Sequence, residues 1–154
     1  MSDATSARPT AAMPMATSIV IALDPGREKC GLAAVDEAGA VLERAIVPRD
    51  VVVQQALALV DRHGAALLVL GNSTQSREVH TELQAARPAL KVELVDERNS
   101  TFEARSHYWV ANPPRGWRKM VPLSMQAPPE PLDDWAAVVL AGRFFAWRAG
   151  GPAG

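Results

Sequence analysis

SIVIALDPGREKCGLAAVDEAGAVLERAIV, residues 18–47, decides the fold. Ser18 to Leu23 is a short apolar run stopped by Asp24-Pro25-Gly26, and a strand-length run punctuated by Pro and Gly reads as a buried strand. Lys29 to Val35 and Ala40 to Val47 flank Asp36-Glu37-Ala38-Gly39, whose acidic residues and glycine suit a tight reversal. Three strands meandering back and forth are therefore expected before any helix.

Downstream the period changes. Val52, Ala56, Leu59 and Val60 recur at helical spacing over Val51 to Val60, with Asp50 as the expected N-cap and Gly64 as the stop. Ala66 to Leu70 is a fourth buried strand ending at Gly71, and Ser76 to Ala86 a second amphipathic helix closed by Pro88. Lys91 to Val95 is a fifth strand. Ser100 and Glu103 stand in capping-box spacing ahead of a third helix that ends near Asn112. Six prolines between Asn112 and Pro131 make that stretch a loop. A strongly apolar helix then opens at Asp133 and runs to about Arg148, where Gly150, Gly151 and Pro152 release the chain. A hairpin sheet extended by crossover units predicts an α/β fold: an antiparallel three-stranded meander plus two parallel crossover strands, five in one mixed sheet, flanked by helices.

At 154 residues the chain fits one domain, expected over 18–148, with tails at 1–17 and 149–154. The first tail is rich in Ala, Ser, Thr and Pro and lacks the basic start and apolar run of a signal peptide. No apolar stretch approaches the roughly 20 residues that span a bilayer, so membrane insertion is not expected. Cys30 is the only cysteine, which excludes an internal disulfide and a Cys-based zinc site, and suits a reducing, cytoplasmic setting. A net charge of −1 argues against a uniformly basic coat for nucleic acid. Charge is uneven, however: Arg98, Arg105, Arg115, Arg118 and Lys119 face only Glu103 over that stretch, with Tyr108, Trp109 and Trp117 interleaved. Such a face suits phosphates, with Trp117 placed to stack on an unpaired base, although an ordinary solvated surface has the same composition. Arg27 and Lys29 stand beside Asp24. His63, His80 and His107 share no metal-ligand spacing and read as structural.

Three acidic stations fall where a sheet can gather them: Asp24 after the first strand, Glu97 after the fifth, and Asp133 or Asp134 in the first turn of the last helix. If the first and fifth strands are neighbours, their ends converge. Carboxylate oxygens suit Mg²⁺ or Mn²⁺, and two such ions about 4 Å apart hold the attacking water and leaving oxygen of a phosphodiester in line. Taken singly, each acid has a plain alternative as a turn residue, a solvated loop charge or a helix cap.

These residues resemble the YqgF (RuvX) branch of Holliday-junction-resolvase-like nucleases, within the ribonuclease-H superfamily. Its opening pattern stands as Asp24-Pro25-Gly26-Arg27-Glu28-Lys29-Cys30-Gly31-Leu32-Ala33-Ala34-Val35-Asp36. The central pattern stands as Asp96-Glu97-Arg98-Asn99-Ser100-Thr101 with Glu103-Ala104 following, and the closing one as Asp133-Asp134-Trp135-Ala136-Ala137. The resemblance implies a ribonuclease-H-like fold and Asp24, Glu97 and Asp133 as catalytic metal ligands, with Asp134 as an auxiliary. It implies a Mg²⁺- or Mn²⁺-dependent endonuclease acting on structured nucleic acid, in maturation of precursor 16S ribosomal RNA or resolution of branched DNA junctions, and a homodimer would be compatible with it. Asp24 would bridge two ions while Glu97 and Asp133 complete the cage. Arg27, Lys29, Arg98, Ser100, Thr101, Arg105, Arg115, Trp117, Arg118 and Lys119 would contact the nucleic acid. Two positions depart from the family: Gly71-Asn72-Ser73 replaces Gly-Leu-Pro, and Lys29 replaces an Arg, losing its bidentate fork. A catalytically inactive nucleic-acid-binding module of the same fold is the alternative reading. A nucleotide-binding domain like those of actin and sugar kinases is a third, but normally needs two such domains.

Overall fold

The computed structural model describes residues 18–98, 100–122, 128 and 131–150, without the side chains of 101, 102, 117 and 118. The tails expected at 1–17 and beyond Gly150 lie outside the described residues. Five strands, β1 (Ile19–Asp24), β2 (Lys29–Asp36), β3 (Val41–Pro48), β4 (Leu67–Gly71) and β5 (Val92–Val95), form one sheet in the order β3-β2-β1-β4-β5. Among the described residues four α-helices accompany them: α1 (Val52–His63), α2 (Ser76–Ala86), α3 (Ser100–Ala111) and α4 (Asp133–Arg148). The expected mixed sheet is present, with β1, β2 and β3 antiparallel and β1, β4 and β5 parallel.

Local chemistry accounts for most boundaries. Asp36 turns the hairpin because its Oδ1 accepts the N–H groups of Ala38 and Ala40, at 3.0 and 2.8 Å, replacing ladder bonds that end there. Gly64 ends α1 in the left-handed region, at φ 60°, where a side chain would be strained. Two expectations fail. Asp50 does not cap α1: it lies in a 3₁₀ turn, Arg49–Val51, with Val51 at the cap position and no side-chain cap bond. A distant pair does the fixing there, since Arg49 grips Glu82 of α2 through both terminal nitrogens, at 3.2 and 2.8 Å. The loop after α3 is not wholly irregular, because Gly116–Met120 forms another 3₁₀ turn.

The first and fifth strands are also not neighbours. β2 occupies one edge of β1, the crossover through α1 delivers β4 to the other, and the crossover through α2 adds β5 outside β4. Glu97 must therefore reach across β4.

Strand alternation divides the core in two. Ile21, Leu23, Leu32, Leu68 and Leu70 face α1 and α2 with Val52, Ala56, Val79 and Leu83. Val20, Ala22, Ala33, Val35 and Val69 face α3 and α4 with Ala104, Tyr108, Val138 and Leu140. Among the described residues no helix is long and apolar enough to cross a membrane.

Leu140 is fully buried in the second of these layers, whereas Leu94 on the outer strand is 57% exposed. Leu140→Ala should cost about 2–5 kcal/mol in urea unfolding, and Leu94→Ala no more than about 0.5 kcal/mol. Equal costs would mean that the layer assignment is wrong.

A carboxylate cluster as candidate active site

Asp24 ends β1, and its register partner on β2 is Gly31. By strand parity it shares the face of Ala22, so its carboxylate lies on the α3/α4 side of the sheet. The other two acids reach it over glycines. The backbone carbonyl of Asp133, at the start of α4, sits so close to Gly31 that any Cβ there would overlap it. On the other flank Leu23 pairs with Leu70, which brings Gly71 to the same end of the sheet. A Cβ on Gly71 would overlap Glu97 Oε1 and stand 3.0 Å from Leu140. Glycine on both neighbours of Asp24 is thus what lets α4 and the loop after β5 close over the strand ends.

Glu97 is held by the segment Asn72-Ser73. Asn72 Oδ1 accepts the Glu97 backbone N–H at 3.2 Å, and the Ser73 backbone N–H donates to the Glu97 carboxylate. Ser73 Oγ donates to the Pro25 carbonyl at 3.5 Å and accepts the Gln75 N–H at 3.2 Å, joining this segment to the Asp24 turn and to the start of α2. From below, Arg143 of α4 donates to the Asp96 carbonyl at 2.8 Å and to Glu103 at 2.6 Å, pinning the loop to α3. Glu103 is thereby drawn away from a capping box. Ser100 is the first residue of α3, buried, and its N–H goes to the Glu97 carbonyl at 3.0 Å. The preceding Asn99 lies outside the described residues.

Burial and two neighbouring acids act on Asp24. Burial raises the Asp24 pKa most, and the Glu97 and Asp133 carboxylates add to it, to about 7 from an ordinary 3.8. Glu97 is raised as well, chiefly by burial, against the lowering effect of the Ser73 N–H. Glu97 Oε1 is buried without a hydrogen-bond partner. A buried acceptor left unpaired is costly and marks a place where a cation or water belongs. Among the described residues no hydrogen bond or ion pair engages the Asp133 carboxylate. An all-oxygen, acid-rich donor set with one orphaned oxygen fits a hard divalent cation. The carboxylates are not drawn into a closed shell: no group of three or more such side chains among the described residues stands tightly enough to enclose an ion.

Asp134 turns elsewhere. It is buried, its Oδ2 receives Arg44 Nη1 of β3 at 2.6 Å, and its Oδ1 receives the Trp135 N–H at 2.9 Å. Arg27, Lys29, Arg98, Arg115 and Lys119 are exposed, Arg105 is half-buried, and the side chains of Thr101, Trp117 and Arg118 lie outside the described residues. Arg27 and Lys29 follow the Asp24 turn in the chain and Arg98 follows Glu97, and all three are exposed. Sequence reasoning missed Asn72 and Arg44 and the steric role of Gly31. A glycine inside an apolar strand was the available signal for the last.

No family model matches the chain, and no curated protein does. Among solved structures, Thermus thermophilus RuvC in complex with a Holliday junction substrate is similar, with a TM-score of 0.57 at 14% identity. The likeness covers 86% of this chain and 96% of that one. The fold is that of RuvC. A second structure of Thermus thermophilus RuvC agrees, with a TM-score of 0.53 at 12% identity over the same shares. The five-stranded mixed sheet flanked by helices is thus the ribonuclease-H-like arrangement.

A pKa raised in the folded state means that the fold holds the proton more tightly than the unfolded chain. Asp24 therefore contributes stability in full below about pH 4, and that contribution is lost as pH climbs through about 7. Thermal unfolding in chelator from pH 4 to 8 should show this decline, and Asp24→Asn should flatten it. An unchanged slope in the variant would place the titrating group elsewhere.

Proposed function

We propose that this chain is a divalent-metal-dependent nuclease that hydrolyses phosphodiester bonds in branched nucleic acid, with Asp24, Glu97 and Asp133 as its metal-binding carboxylates. One observation carries the reading: three acids far apart in sequence come together at one end of the sheet, where burial first, and then the Glu97 and Asp133 charges, raise the Asp24 pKa to about 7. A cluster of that kind is stable as anions only around positive charge. RuvC supports the choice of substrate class, because a protein of this fold has been seen on a Holliday junction.

Magnesium or manganese bound there would supply Lewis acidity and a water of lowered pKa beside the scissile phosphate. The chain's own part is to hold the ligands. Asp24 comes from a fully hydrogen-bonded central strand, Glu97 from a loop braced by Asn72, Ser73 and Arg143, and Asp133 from the positive end of α4, whose dipole favours a carboxylate. A cation would have to draw these three closer than they stand. Exposed Arg27, Lys29 and Arg98 supply the charge that positions phosphates around the cluster without reading bases. The basic stretch from Arg115 to Lys119 would extend that contact along one arm of a junction, or along a folded RNA such as precursor 16S ribosomal RNA.

Purified protein given four-way DNA junctions and structured RNA with Mg²⁺ or Mn²⁺ should cleave, with the junction favoured. Asp24→Asn, Glu97→Gln and Asp133→Asn should each slow cleavage by about 10³-fold, the scale of several kcal/mol of lost charge stabilisation. Cleavage unaffected by Asp24→Asn would refute the assignment. Tight junction binding with no turnover under either ion would favour the non-catalytic module instead.

A further inference from the structure

Two aspartates open α4, and adjacent helix residues point about 100° apart, so at most one can face Asp24. Apolar burial alone does not choose between them. Every residue from Asp134 to Ala141 is buried, all round the helix, so α4 lacks the single apolar stripe that normally fixes a helix's rotation against a sheet. The choice falls to polar contacts. Arg44 on β3 is the register partner of Ala33 and so shares the sheet face that α4 covers. Its guanidinium donates to Asp134 Oδ2 at 2.6 Å, and its Cζ lies 4.1 Å above the Trp135 ring. The ring of His107 of α3 also stacks with Trp135, their centroids 6.3 Å apart and their planes tilted by 15°. Asp134 is committed at both oxygens, whereas Asp133, one position earlier, is left to the carboxylate cluster.

We infer that Arg44 is a positioning residue for the carboxylate site: by clasping Asp134 and covering Trp135 it sets the rotation of the first turn of α4, so that Asp133 faces Asp24. This rests on the reading of Asp24, Glu97 and Asp133 as metal ligands. The pair is half-buried, with the Arg44 side chain 38% and the Asp134 side chain 11% exposed, and a specific polar contact of this kind can select one packing arrangement where apolar contacts leave several. Arg suits the task better than Lys, since its planar group both pairs with a carboxylate and stacks on an aromatic ring.

The test measures Mn²⁺ affinity by titration calorimetry well below the unfolding temperature, in the full-length protein and in Asp24→Asn, Arg44→Ala, Arg44→Lys and Asp134→Asn. Arg44→Ala should weaken Mn²⁺ binding by about 10- to 100-fold, the usual effect of removing a group that orients metal ligands. Arg44→Lys should recover part of the loss by restoring the charge. Asp134→Asn keeps the volume of the side chain and gives a folded comparison if Arg44→Ala proves unstable; it should weaken binding in the same direction. Combining it with Arg44→Ala should add little, because both act through one contact. If Arg44 only steadied the fold, all these variants would bind Mn²⁺ within about twofold of the unaltered protein while Asp24→Asn abolished binding, and the inference would be overturned. Binding that does not depend on Asp24, or no binding at all, would instead remove the carboxylate-site reading and this inference with it.

Discussion

Like charges crowded where water is scarce repel one another, and this end of the sheet is built against that repulsion. Asp24 ends the central strand of the sheet, and Glu97 and Asp133 are brought towards it from a loop and a helix with no chemical need of their own to be there. A protein can tolerate the arrangement by protonating one acid or by binding a cation. The first is what the raised Asp24 pKa expresses, and the second is what the orphaned Glu97 oxygen invites. Much of the surrounding structure can be understood as bracing that keeps the three acids from drifting apart.

The bracing works because side-chain volume is missing at two points. In a parallel or antiparallel ladder, residues directly opposite share a face, so the neighbours of Asp24 would normally cover the space above it with their own side chains. Gly31 and Gly71 leave that space open, and the Asp133 carbonyl and the Glu97 carboxylate fill it. The topology makes the second glycine necessary. With β4 between β1 and β5, a glutamate following β5 lies two strands away from Asp24 and must pass over the intervening strand end. Asn72 and Ser73 supply hydrogen bonds to Glu97, the first by its side-chain oxygen accepting the Glu97 N–H and the second by its backbone N–H reaching the carboxylate.

How much of this is legible in the sequence depends on range. The strands, the Asp36 hairpin and the Gly64 stop were readable because each is dictated by residues a few positions apart. The order of strands was not: Lys91 to Val95 has the same local pattern whether it lies beside β1 or beyond β4, and only the packing of the crossover helices decides. Caps fell between these cases. Asp50 and Ser100 are good capping residues by type, but Arg49–Glu82 fixes the start of α1, and Arg143 takes the glutamate that a capping box would have used. The candidate acids were read from their motifs, whose spacing to Ala136-Ala137 favours Asp133, but residue type and local pattern give no physical difference between Asp133 and Asp134. That distinction is carried by Arg44, which is 90 residues away in the chain.

The last helix shows why such long-range polar contacts matter for an α/β layer of this kind. An amphipathic helix such as α1 settles with one stripe down, and a rotation exposes apolar surface at once. A helix apolar on every side has no comparable penalty, because turning it exchanges one buried alanine or valine for another. Its orientation then depends on close backbone approach, here at Gly31, and on the polar contacts of a buried carboxylate, Asp134. The approach at Gly31 fixes how near the helix comes to the sheet, and the Arg44–Asp134 pair fixes which way its first turn points. Distance and rotation are thus set by different residues on different strands, which is how a nearly featureless apolar helix can deliver a single carboxylate to a defined place.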